Sequence, residues 1–119
     1  MQPDERDAGY LWDMLDAPRS VVEFTEGIRY EEYLKDRMRQ FAAERAIGII
    51  GEAAGRVSKA LQDAHPEIPW RKIVAQRNIL VHDYGDLRQD RIWRVAVQHI
   101  PDLIVQLKPL VRPEPSSDE

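Results

Sequence analysis

Residues 41–57 read Phe41-Ala-Ala-Glu-Arg-Ala-Ile-Gly-Ile-Ile-Gly-Glu-Ala-Ala-Gly-Arg-Val57. Around them Leu34, Met38, Phe41, Ala42, Ala46, Ile49, Ile50, Ala53, Ala54, Val57 and Leu61 trace one apolar stripe at helical spacing. The spacing predicts a long helix that ends only at His65-Pro66. Gly48, Gly51 and Gly55 fall inside it, each costing about 1 kcal/mol against alanine. Glycine at three such positions predicts a helix packed so closely against another that no side chain fits between them. Glu52, in the same crowded run, reads as a solvated helix charge.

The flanking segments repeat the helical period. Asp4 caps a first helix carrying Tyr10, Leu11, Met14, Leu15, Val21 and Val22, with a kink or a join expected at Pro18 and a stop at Gly27. Tyr30 to Lys35 forms a short helix or turn. Pro66-Glu67-Ile68-Pro69 is a rigid connector, and Pro69 suits the first turn of a helix running to His82 or Tyr84, after which Gly85-Asp86 turns the chain. The last helix keeps its phase from Trp93 through Ala96, Val97, Ile100, Leu103, Ile104 and Leu107 to Leu110. Because that phase survives Pro101, a kink or a fresh start is expected there. No strand-like alternation or internal repeat is present. The reading is an all-α antiparallel bundle of four to five helices in one domain, residues 1–112, with residues 113–119 a disordered tail.

Composition narrows the chemistry. Of 119 residues 43% are apolar and 32% charged, as in a folded protein with solvated outer faces. Cysteine is absent, which removes disulfides, thiolate metal sites and cysteine nucleophiles. His65, His82 and His99 are isolated from one another, so no metal site is expected and no cofactor is implied. The acidic start does not resemble a secretory signal and no run is long enough to span a membrane, which makes a cytoplasmic location the expectation. The net charge of −4 is unevenly spread: residues 1–36 hold 4 basic and 10 acidic side chains, residues 70–94 hold 6 basic and 3 acidic. Arg71, Lys72, Arg88 and Arg91 in that basic island are candidates for binding RNA, or else a solvated face.

The island surrounds Arg77-Asn78-Ile79-Leu80-Val81-His82-Asp83-Tyr84. Histidine can take and give a proton near neutrality, arginine offers a fork of donors to phosphate oxygens, and Asn78 and Tyr84 can position a substrate. Together they suit a phosphodiester. RNA can be cleaved without a metal because its own 2′-hydroxyl attacks the neighbouring phosphate, whereas DNA, which lacks it, is spared. On a continuous helix Arg77 and Tyr84 share a face while His82 lies well round the cylinder. Either the helix ends before His82 or two chains each supply part of the site. The spacing alone also fits a surface arginine and a helix-end histidine satisfied by Asp83.

From about residue 7 to 111 the sequence resembles the HepT-like branch of the HEPN superfamily. Ile68-Pro69-Trp70-Arg71 and the series Arg77, Asn78, His82 and Tyr84 carry the resemblance most specifically, supported by Ile49 to Ala54 and by Ile92-Trp93. The family motif is an arginine, a polar residue beside it, a histidine after four intervening positions and a tyrosine two further on. The resemblance implies a dimeric HEPN-like bundle and a metal-independent endoribonuclease, the toxin of a type VII-like toxin–antitoxin pair. Arg77 and His82 would be the catalytic pair at the dimer interface, with Asn78 and Tyr84 positioning the substrate. It also implies a partner, a minimal nucleotidyltransferase that transfers AMP to Tyr84. The alternative on the same fold is a helical module that binds nucleotide or protein without cleaving.

Overall fold

The computed structural model describes residues 4–82 and 89–111, and of residues 79–82 the backbone alone. The described residues are helical, without a strand: α1 (Glu5–Thr25), α2 (Tyr30–Tyr33), α3 (Arg37–Arg56), α4 (Lys59–Ala64), α5 (Trp70–His82), α6 (Gln89–Arg94) and α7 (Ile100–Leu107), the last two joined by a π-turn over Val95–His99. The all-α expectation holds. The expected turn at Gly85-Asp86 and the expected tail at 113–119 lie outside the described residues.

α1 starts where its cap predicts, the Asp4 carboxylate accepting the Asp7 N–H at 2.8 Å. It ends at Thr25, followed by Gly27 in the left-handed region at φ 79°. Pro18 does not divide it: the helix is assigned without a break from Glu5 to Thr25, with Pro18 buried against the core. Of the kink or join expected at Pro18, the join is corrected: α1 is one helix.

α3 lies at the centre, packed on one side by α1 and on the other by α5, while α7 closes over α1. The main core joins Leu11, Met14, Leu15 and Val21 of α1 to Ile50, Ala53 and Ala54 of α3, Ile73 of α5 and Ile100, Leu103 and Leu107 of α7. A second, smaller core holds Tyr33, Ala43, Ile47 and Ile92, with Tyr30 and Trp93 packed against it.

The long predicted helix is two helices. α3 stops at Arg56 and Ser58 caps α4, its hydroxyl accepting the Leu61 N–H at 3.3 Å. Ser58 gives its own N–H and hydroxyl to the two carboxylate oxygens of Asp7, at 2.8 and 2.6 Å. A backbone N–H committed to a buried carboxylate on α1 cannot also continue the α3 ladder, so the rod breaks there. The apolar stripe is also overdrawn at its start. Leu34, Met38 and Phe41 are exposed, Met38 to 83%, with the Arg37 guanidinium 5.3 Å from the centre of the Phe41 ring.

The glycines separate into two kinds. A Cβ on Gly51 would fall 2.1 Å from the Arg77 Cβ and 3.1 Å from the Ile73 carbonyl oxygen, and one on Gly55 would meet Val74 at 3.7 Å. α3 and α5 therefore cross with backbone against side-chain stem at Gly51. Gly48 faces open space and is no part of the close approach.

The last stretch departs from an α-helix one turn before Pro101. Proline has no N–H for the Val97 carbonyl, and the Ile100 N–H bonds to the Val95 carbonyl five residues back. The fresh start expected near Pro101 is present, since α7 begins at Ile100 directly after this wide turn and carries Pro101 in its first turn. Val97, expected in the core stripe, is 40% exposed.

The two ends of the basic segment are held differently. Trp70, buried at the start of α5, donates its indole N–H to the His65 carbonyl at 3.0 Å. At the start of α6, Gln89 accepts the Tyr33 hydroxyl at 2.6 Å and donates to the Glu44 carboxylate at 2.9 Å. Burial first, then the Glu44 carboxylate and Tyr30, raise the Tyr33 phenol well above the ordinary tyrosine value.

Two measurements check this packing. Gly48→Ala is expected to stabilise the fold by about 0.5–1 kcal/mol, whereas Gly51→Ala is expected to destabilise it by about 1–3 kcal/mol through overpacking against Arg77. Equal urea midpoints for the two variants would refute the close crossing. For Tyr33, the folded state keeps a proton that the unfolded chain loses above about pH 10. The stability this carries is intact below that pH and declines as pH rises beyond it. Urea titrations at about pH 8 and about pH 11 should show a shallower alkaline decline for Tyr33→Phe than for the parent.

Candidate active site

Arg77 lies in the third turn of α5, partly exposed, with its stem over Gly51. The absent side chain on α3 makes the slot, and Arg77 Cβ and Cγ occupy it. Beyond the slot the guanidinium reaches the Asn78 side-chain oxygen at 3.4 Å, a long and weak bond that leaves its donors readily redirected to a stronger acceptor. Asn78 itself is exposed.

The backbone of α5 is helical through His82. At about 100° per residue, positions 77 and 82 lie about 140° apart around the helix axis. The first of the two expectations, a helix ending before His82, is thus corrected: the histidine belongs to the helix. Asp83, Tyr84 and Arg88 lie outside the described residues.

Of the RNA-binding candidates, Arg71 and Lys72 are exposed on the first turn of α5 and Arg91 is exposed on α6. Glu52, one residue after the Arg77 slot, makes an exposed ion pair with Arg56 at 3.1 Å, consistent with a solvated helix charge. Among the described residues no group of three or more His, Asp or Glu side chains is arranged to hold a metal ion, and no helix is long and apolar enough to cross a membrane. His65 contacts Glu67 at 3.3 Å, on the far side of the connector from Arg77 in sequence.

Gly51 is the site residue that a reading of chemistry along the chain passes over. Its signal was present as the Gly51/Gly55 pair at one-turn spacing, but nothing in the sequence says which helix crosses there. Gln89 is not part of that site, but its structural role likewise emerges only when α2 and α3 bring Tyr33 and Glu44 to it.

The chain is 38% identical over 94 residues to a Thermococcus cleftensis protein named "Probable ribonuclease HepT", covering 79% of this chain and 86% of that one. It is 33% identical, over the same shares, to a candidate RNase of Methanocaldococcus jannaschii. A candidate RNase of Caldanaerobacter subterraneus is 31% identical over 105 residues, covering 88% of this chain and 94% of the relative. No solved structure matches the chain. The family described as "Ribonuclease HepT-like" matches residues 14–110, from the middle of α1 to just beyond α7, and the chain belongs to that family.

Proposed function

We propose that the protein is a metal-independent endoribonuclease, the toxin of a type VII-like toxin–antitoxin pair, and that two protomers build its site from Arg77 and His82. The observation that carries this reading is that both residues stand on one unbroken helix with Arg77 seated on Gly51. Positions about 140° apart around one helix axis are poorly placed to serve one phosphate from within a single α5. A second α5 across a two-fold axis supplies the missing direction.

In the proposed reaction the 2′-hydroxyl oxygen attacks the adjacent phosphorus and the bond to the 5′-oxygen breaks. One protomer's His82 takes the 2′-hydroxyl proton and its partner's His82 protonates the leaving 5′-oxygen. Arg77 from each side neutralises the charge that gathers on the phosphoryl oxygens, and Asn78 and Tyr84 hold the strand. The products are a 2′,3′-cyclic phosphate and a 5′-hydroxyl. Exposed Arg71, Lys72 and Arg91, with Arg88 beside them in sequence, bring the RNA to the site.

Neutralisation follows the same electrostatics. A minimal nucleotidyltransferase would join the Tyr84 phenolic oxygen to the α-phosphorus of ATP, releasing pyrophosphate. The new phosphodiester carries a negative charge into the neighbourhood of Arg77 and occupies the donors meant for RNA.

Purified protein in excess chelator is expected to cleave total RNA to fragments with 2′,3′-cyclic phosphate ends. His82→Ala should lower the rate by about 10²–10⁴-fold, and Arg77→Ala by about 10²–10³-fold, with unchanged circular dichroism. No cleavage by folded, unmodified dimer would establish the binding module instead. Incubation with ATP and the cognate nucleotidyltransferase should add whole AMP units to the parent, read by intact mass, and none to Tyr84→Phe.

A further inference from the structure

A cavity of about 290 Å³ opens between α3, α5 and the rod that joins α6 to α7. Its floor is aliphatic, from Ile50, Ile73 and Leu103, all of them buried. Its polar lining comes from Lys72 and Gln76 on α5 and from His99, Asp102 and Gln106 on the other rod. This volume lies at the lower edge of small-molecule sites, which are typically about 300–1,000 Å³ and combine an apolar lining with a few convergent polar groups.

Two features tie the cavity to the motif. First, it borders the Arg77 slot: Ile50 precedes Gly51 on α3, and Ile73 is one turn before Arg77 on α5, about 5.4 Å along the axis. Second, both ends of the π-turn, Val95 and His99, line it. A π-turn is a costly local departure from the α-helix that is found frequently at functional sites. Here it forms part of the cavity wall.

We propose that this cavity receives one unstacked nucleobase of the RNA, the base neighbouring the phosphate that Arg77 meets. The proposal rests on the ribonuclease reading above. The flat faces of the base lie on the isoleucine and leucine floor, removing apolar surface from water. Its edge meets Gln76, which can donate and accept, and Asp102, which accepts only. A carboxylate on the rim selects a base that presents an exocyclic amino group, as cytosine does through N4. The cavity thereby gives a bundle with a shared catalytic motif a means of choosing where along a strand it cuts.

The test uses ¹⁵N-labelled His82→Ala protein, full length, titrated with CMP, AMP, GMP and UMP. Amide shifts at Ile73, Gln76, Val95 and Leu103 are expected with the three amino-bearing nucleotides and weaker ones with UMP. Asp102→Asn should reduce that discrimination about tenfold. In parallel, cut sites in total RNA are sequenced for the active parent, Gln76→Ala and Asp102→Asn, and both variants should redistribute the cuts. Absence of shifts at these amides, cut sites identical in all three proteins, or shifts that follow protein concentration and not nucleotide would each overturn the proposal. The titration separates this from failure of the ribonuclease reading: cavity shifts in a protein whose parent cleaves no RNA would sustain the nucleobase site and remove the enzyme.

Discussion

At Gly51 two helices come so close that a single added carbon would overlap the stem of Arg77. The placement of Arg77 on α5 depends on that contact. It fixes the distance between α3 and α5, leaves room for the arginine stem in the crossing, and orients the outward part of the side chain. A helix interior ordinarily disfavours glycine because the unfolded chain loses so much freedom there. Here the cost is offset by seating a cation at the edge of the core, its aliphatic portion packed and its charged end free to reach an anion.

The polar contacts that surround this crossing act at a distance in sequence. Asp7, buried near the start of α1, accepts two hydrogen bonds from Ser58 and so determines where α3 gives way to α4. Tyr33 and Glu44 do the same for Gln89, the first residue of α6. Each is a satisfied polar group in a poorly solvated place, and each specifies one junction of a fold whose helices would otherwise be free to slide along their stripes. The smaller core of Tyr33, Ile47 and Ile92, with Trp93 stacked at a tilt 5.0 Å from the Tyr33 ring, is organised about the second of these junctions.

What could be read along the chain follows from the range of the interactions involved. The Asp4 cap, the left-handed Gly27 and most of the apolar stripes of α1 and α7 are local, and local patterns predicted them. The break at Ser58 depends on a carboxylate 51 residues away, so an unbroken stripe concealed it. Leu34, Met38 and Phe41 keep helical phase yet stand exposed, because phase identifies a face without saying what covers it. At the site, Arg77 and His82 were legible as chemistry, but the slot that holds Arg77 is a property of two helices together. Pro101 announced a break in the last helix, and only the backbone could show that a widened turn precedes the fresh start at Ile100.

That widened turn has a geometric effect on the rod that contains it. Ile92 on its first half serves the smaller core, while Leu103 and Leu107 on its second half serve the larger. The spare residue between them acts as a phase shifter, offsetting one half from the other by about 100° relative to an uninterrupted α-helix. One continuous rod can thereby face two cores that lie in different directions. A chain lacking one residue between Val95 and His99 would keep its composition and its apolar stripe, yet could bury only one half at a time.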